Sequence, residues 1–320
     1  MDTQYEATVE EEHAGLRLDV CLAELMEDAS RSFVKKLIKD GRVTVNGREA
    51  AKPSRIVAAG DLIAATVPPP PPALPEPEHL PLEILYQDAS IVVVNKAAGM
   101  VVHPAPGHYT GTLVNAVLYH CPDFQRPGQD MSRPGIVHRL DADTSGVMVV
   151  AKTARAFAHL ARQAAEHRFD RRYLALVQGQ FEEDRGRISA VIGRSLADPG
   201  RMAVTGVRAR EAVTHFEVLE RFGQASLVAL QLETGRTHQV RVHMRFIGRP
   251  VLGDPVYGVT DFRGWKVSPE TLAALRALQG QALHAERLGL THPETDGRMT
   301  FTAPPPPDFL RALEALRAEK

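Results

Sequence analysis

Residues 138–150 read HRLDADTSGVMVV. Two carboxylates, Asp141 and Asp143, stand beside Arg139, Thr144, Ser145 and Gly146, and a β-rich apolar run follows without a break. The run predicts a buried strand, and the polar cluster sits at its lip. A loop anchored there is held rigid and can aim a side chain into a pocket. IVVVNK (91–96), RYLALVQG (172–179) and SLVALQLET (226–234) read as further strands. Residues 111–120 and 154–168 read as helices by apolar spacing. A proline-led helix near position 307 presents Phe309, Leu310, Leu313 and Leu316 as its stripe. Strands and helices are interspersed without a regular βαβ repeat, which predicts an α+β fold rather than a doubly wound sheet.

The 320 residues suggest two domains. Hydrophobic content of 44% and charged content of 24% are those of a globular chain that can bury a core without staples. Cys21 and Cys121 lie far apart and form no metal-ligand spacing, so reduced thiols in a cytosol are expected. The acidic start, MDTQYEATVEEEH, is unlike a secretory signal. No apolar stretch reaches the roughly 20 residues of a membrane span, so no membrane partner is expected. Formal net charge is −1, but from Ser30 to Arg48 six basic residues face one acid. From Arg133 to Arg245 there are 18 Lys or Arg against 12 Asp or Glu. Local basic patches in a near-neutral chain fit phosphate-backbone binding.

The clearest boundary is PPPPPALPEPEHLP, residues 68–81, which proline makes extended and semi-rigid. It separates a module of residues 1–67 from a body of residues 82–320. In the module, Leu18, Leu22, Leu25 and Met26 recur at helical spacing. Ser30 then caps SRSFVKKLIKDG, whose Phe33, Val34, Leu37 and Ile38 share one face. A short strand, RVTVNG, ends on an Asn-Gly turn. The basic second helix is a candidate RNA contact through Arg31, Lys35, Lys36, Lys39 and Arg42; an ordinary solvated face is the alternative.

Three familiar signatures fail near HRLDADTSG. A kinase loop needs H-R-D, whereas Leu140 intervenes. An aspartic protease reads Asp-Thr-Gly, and Ser145 breaks that run. No G-x-S-x-G and no phosphate-binding glycine loop is present. A second cluster, ETGRTHQVRVHMRFIGRPVLGDPVYG (233–258), brings Arg236, His238, Arg241 and His243 close together. Read as an alternating strand, it places Thr237, Gln239, Arg241 and His243 on one face and His238, Val240, Val242 and Met244 on the other. A partly buried guanidinium at Arg241 needs a carboxylate, and Asp141 is on offer. His238 and His243 lack a third ligand at a suggestive spacing, so no metal site is expected. In RFDRRYLALVQG, Tyr173 leads a strand behind Arg171 and Arg172. It is either a half-buried strand tyrosine or a platform for an unstacked base.

Two resemblances draw these pieces together. RLDVCLAEL, SRSFVKKLIKDGRVTVNG and GDLI resemble the S4 RNA-binding domain, whose second helix and following turn face RNA. HRLDADTSGVMVVAKT, RRYLALVQG and LETGRTHQVRVHM with GRPVLGDPVYG resemble the RNA pseudouridine synthases of the large-subunit ribosomal RNA type. The likeness runs over essentially the whole chain. Ala97 stands where the family usually has Pro, and Ala142 replaces a usual basic residue. The resemblance implies a catalytic domain built on a mixed, mainly antiparallel sheet with flanking helices. It implies Asp141 as the carboxylate acting at the ribose, with Arg241 as its partner and Tyr173 beside the base. A neighbouring guanidinium keeps such a carboxylate charged and aimed. It further implies that Arg139 enters the stack a flipped base leaves, with Arg171, Arg172, Arg236 and His238 at the RNA. No cofactor is implied, because the isomerisation involves no redox change. The expected partner is large-subunit ribosomal RNA, free or in an assembling subunit, met by a cytoplasmic monomer; transfer RNA is the alternative substrate. A non-catalytic RNA-binding or assembly protein is the competing reading, against which the intact Asp141, Tyr173 and Arg241 set speaks.

Overall fold

The computed structural model describes residues 2–26, 29–69, 74–105, 108–198 and 200–319. The chain divides into two compact units, Met1–Pro71 and Pro72–Lys320. Of the proline-rich segment, residues 70–73 lie outside the described residues. Its later residues are tied into the larger unit's body: Asn115 Nδ2 donates to the Glu76 carbonyl at 2.7 Å and Arg126 Nη1 to that of Pro75 at 3.0 Å.

The smaller unit contains β1 (Thr3–Thr8), α1 (Leu18–Leu25), α2 (Arg31–Lys39), β2 (Val43–Val45), β3 (Arg48–Glu49) and β4 (Leu62–Val67). Its sheet runs β1-β4-β2-β3, with all three ladders antiparallel. Ser30 caps α2 by accepting from the Phe33 N–H at 3.2 Å. Asn46 and Gly47 both take positive φ, 54° and 74°, the turn that matches a hairpin's twist. Leu18, Leu22, Val34, Leu37 and Ile38 are fully buried with Val43, Val45 and Ile63, while Leu25, Met26 and Phe33 pack partly buried around them.

The larger unit contains β5 (Glu83–Gln87), β6 (Ile91–Lys96), α3 (Leu113–His120), β7 (Ser145–Ala151), α4 (Ala154–Ala165), β8 (Asp170–Gln178), β9 (Arg185–Arg194), β10 (Met202–Val204), β11 (Val207–Arg221), β12 (Ala225–Leu232), α5 (Gln239–Phe246), α6 (Pro269–Arg276), β13 (Leu283–Thr291), β14 (Arg298–Thr302) and α7 (Pro307–Ala318). The sheet order is β10-β9-β11-β12-β8-β13-β7-β6-β5, with β14 on β13. The β7–β13 pairing is parallel and the other described ladders are antiparallel. The mixed, mainly antiparallel sheet with flanking helices is therefore present.

Every residue of β7 is buried: Val147, Val149 and Ala151 share a core with Ala156 and Leu160 of α4, and Met148 and Val150 join the core that holds Leu113, Val114 and Val117 of α3. Side-chain alternation sorts β8 in the same way. Tyr173, Ala175 and Val177 join the core beneath α3 and α5, whereas Leu174 and Leu176 join the core that holds α6 and α7. Two expectations need correcting. Leu310 is 37% exposed, and Ala312 takes its place in the buried stripe of α7. Residues 237–244 are not a strand. Thr237 and His238 form the turn that leads into α5, and Gln239 through Met244 are all buried. Two-residue alternation misleads here because the polar side chains point inward to partners. His243 Nδ1 lies 2.9 Å from Thr214 Oγ1, and Gln239 Nε2 donates to the Val213 carbonyl at 2.9 Å.

Candidate active site

Asp141 stands on the loop entering β7, and the Thr144 N–H donates to its carbonyl at 3.1 Å. The loop can join β7 because position 146 is glycine. Its φ is 121°, and a Cβ there would overlap the backbone of Ala285 on the parallel neighbour β13. Beneath the loop, Lys96 is wholly buried at the end of β6. Its Nζ donates to the carbonyls of Ala97 and Met100 at 2.8 Å and of Ala142 at 2.7 Å. Burial pulls its pKa down to about 7 against the charges of Asp143 and Asp141. Three carbonyls require three hydrogens, which the ammonium form alone supplies.

His138 is a strand surrogate. Its Nε2 accepts the Val149 backbone N–H at 3.1 Å, and its ring meets Phe169 edge-on at 5.5 Å. Loss of solvent, then the charge of Arg171, hold its pKa at about 3, so the ring stays neutral and accepting.

Arg241, on α5, joins two carboxylates. Nη1 donates to Asp141 Oδ2 at 3.0 Å; Nε and Nη2 donate to the two oxygens of Asp254 at 2.7 Å each. Burial opposes the charge, but the two carboxylates outweigh it and hold the Arg241 pKa above its ordinary value. Asp254 is itself fixed by the backbone N–H groups of Val256 and Tyr257, at 2.9 and 3.0 Å. Its pKa lies below the usual range: burial raises it and the guanidinium overrides burial. The Tyr257 ring lies under the guanidinium, 5.0 Å from ring centre to Cζ. Sequence reasoning expected Asp141 opposite Arg241 and assigned no role to Asp254, Tyr257 or Lys96. GDPVYG offered the signal for the first two, but no spacing tied it to Arg241.

Asp141 lines a cavity of about 460 Å³ with Arg139, Arg171, Tyr173, Arg236, His238 and Arg241. That volume falls in the range of small-ligand sites. Tyr173 is buried among apolar neighbours, and burial raises its phenol pKa, with the Asp141 charge adding to it and Arg171 opposing. Arg139 is exposed at the rim. Arg236 donates to the Glu211 carbonyl at 3.0 Å. Arg172 is not brought to this cavity. It faces the other side of the sheet, ion-paired with Glu286, because β8 alternates and Tyr173 takes the inner position. His238 and His243 are turned to Tyr257 and Thr214, and among the described residues no group of three His, Cys, Asp or Glu is placed to hold a metal.

In the smaller unit, Arg17, Arg31 and Lys35 gather around the fully buried Asp19, at 2.9, 3.1 and 3.5 Å. Arg42 pairs with Asp2 at 2.9 Å. Lys36 and Lys39 are exposed, with no ion pair to another described residue.

Residues 90–246 match the RNA pseudouridylate synthase family and residues 16–63 match the S4 domain. The chain is 45% identical to the uncharacterized RNA pseudouridine synthase YlyB of Bacillus subtilis, over 98% of each chain. It is 46% identical to the ribosomal large subunit pseudouridine synthase D of Zymomonas mobilis over 95% of each. The same-named protein of Pseudomonas aeruginosa is 45% identical over 99% of this chain and 97% of its own. Among solved structures, human RNA Pseudouridylate Synthase Domain Containing 1 superposes with a TM-score of 0.55 at 28% identity, covering 74% of this chain and 95% of that one. A cavity floored by a held carboxylate and full-length likeness of this degree agree: the chain belongs to the RNA pseudouridine synthase family and carries an S4 domain.

Proposed function

We propose that the chain isomerises uridines in large-subunit ribosomal RNA, with Asp141 as the carboxylate that acts at the ribose. The reaction breaks the N1–C1′ bond and joins C1′ to C5; C5 loses a proton and N1 gains one. The observation that carries this reading is Asp141 itself, aimed into the cavity by an arginine that Asp254 holds from behind. Synthase D relatives at about 45% identity supply the substrate class.

The remaining roles follow from placement. Tyr173 lines the cavity as a protonated phenol, so it takes up the C5 proton only while passing its own proton to the solvent there. Arg139, at the rim, fills the gap a flipped uridine leaves and offsets part of the few kcal/mol that unstacking costs. Arg171 and Arg236 meet the adjoining RNA strand from the cavity wall. The S4 unit adds phosphate contacts through Lys36, Lys39, Arg31, Lys35 and Arg42. The enzyme works as a monomer in the cytoplasm, on the RNA or on the assembling large subunit.

Release of tritium from C5-labelled transcripts tests this directly. Wild type should release it from large-subunit ribosomal RNA, whereas Asp141→Asn should release none and keep RNA affinity within a few-fold. Turnover by that variant would overturn the active-site assignment. Release from transfer RNA alone would keep the chemistry and replace the substrate.

A further inference from the structure

His238 heads α5 in a left-handed backbone conformation, φ 55° and ψ 22°. Residues other than glycine rarely adopt it, and they persist there when their surroundings fix them. The fixing contact is Tyr257, whose Oη is 2.8 Å from His238 Nδ1. The same oxygen accepts the Met202 backbone N–H at 2.8 Å. The buried phenol has one hydrogen of its own to place, and Nδ1 is its acceptor. The imidazole hydrogen therefore resides on Nε2. Burial, acting against the Asp141 charge, holds the His238 pKa below its ordinary value and keeps the ring neutral.

Nε2 stands 3.8 Å from Asp141 Oδ1, beyond hydrogen-bond reach. The other carboxylate oxygen, Oδ2, is already held by Arg241. A single oxygen fits against both Nε2 and Oδ1, because two hydrogen bonds of about 2.8 Å spanning this gap meet at roughly 85°. That oxygen must accept from an N–H and donate to a carboxylate. A phosphate diester oxygen cannot donate, and a deoxyribose has no hydroxyl at C2′. A ribose 2′-hydroxyl does both.

We propose that His238 and Asp141 together hold the 2′-hydroxyl of the target nucleotide, so that His238 reads ribose at the reacting position. The inference rests on Asp141 acting at the ribose of the target uridine, as proposed above. His238 is thereby a specificity residue at the sugar, in place of a contact to the phosphate backbone.

The test begins with wild-type enzyme on a large-subunit ribosomal RNA transcript, its modified positions mapped by carbodiimide-blocked primer extension. An unmodified transcript would overturn the functional reading at that stage, before any variant is made. A synthetic strand spanning one mapped position then carries either uridine or 2′-deoxyuridine there, and single-turnover rates are compared. Wild type should act on the deoxy strand about 10–100-fold more slowly, the scale of losing bonds to partners left buried and unpaired. His238→Phe should slow the ribose strand about ten-fold and barely change the deoxy strand, so the ratio collapses. His238→Gln, whose amide nitrogen can stand in for Nε2, should retain most of the ratio. Tyr257→Phe, which frees the tautomer, should narrow it with RNA affinity unchanged. These two variants decide the matter if the phenylalanine variant does not fold. Equal slowing of both strands by the His238 variants, or equal wild-type rates on the two strands, would overturn the proposal.

Discussion

Three N–H groups of Arg241 are committed to carboxylates, two to Asp254 and one to Asp141. The pair with Asp254 lies in the interior, and Asp141 faces the cavity with its side chain 19% exposed. The inner carboxylate therefore sets where the guanidinium sits, and the guanidinium sets where Asp141 points. Asp254→Asn preserves shape and removes the charge. Breaking one side of a buried pair costs about 3–5 kcal/mol, and an arginine displaced by an ångström no longer positions its partner. The variant should unfold at lower urea and should lose at least about ten-fold in single-turnover rate at saturating RNA. An unchanged rate in a destabilised protein would show that Asp141 keeps its aim without Asp254, through Arg241 or the loop alone.

Among the elements, α1 and α2 are joined by a buried charge as well as by leucines. Asp19, on α1, collects Arg17, Arg31 and Lys35, and the hydrogen bond from Arg17 is the largest cause that lowers its pKa to about 2. A carboxyl whose folded pKa lies below its unfolded value stabilises the fold above the unfolded value, near 4, and loses that contribution as pH falls through 2. Protection factors of the backbone amides in α1 and α2, the exchange rates divided into their intrinsic values at each pH, should fall across that window. Asp19→Asn should exchange faster at neutral pH and show a flatter acid response; an acid response identical to wild type would place the loss elsewhere. The helix pair was legible in the sequence because its apolar spacing and Ser30 cap point the same way. So was β7, where an unbroken apolar run can only be buried. α5 was not, because its first six residues are all buried, with Gln239, Arg241 and His243 turned inward to partners as well as the apolar side chains, so polar and apolar positions do not separate into faces. Lys96 was equally silent. Its function in the fold is three carbonyl contacts, and carbonyls have no sequence signature.

At the scale of the whole molecule, a net charge of −1 averages over two units whose basic residues are partnered differently. The larger unit holds the cavity, where Arg241 meets two carboxylates and Arg236 a backbone carbonyl, while Arg172 pairs with Glu286 on the other side of the sheet. The smaller unit offers Lys36 and Lys39, exposed on α2 and without an ion pair to a described residue. Exposed, unpaired lysines are the groups that release counterions when they meet phosphate, so they control how binding responds to salt. Each phosphate contact contributes roughly 0.7–0.9 to the slope of log affinity against log salt. The full-length double variant Lys36→Gln, Lys39→Gln should therefore bind RNA with a slope smaller by about 1.4–1.8. Its single-turnover rate at saturating RNA should match wild type, because the lysines belong to the smaller unit and the residues that line the Asp141 cavity belong to the larger. An unchanged slope would mean that α2 is a solvated face and that the larger unit alone holds the strand. A reduced slope with an unchanged rate would assign grip to one unit and chemistry to the other.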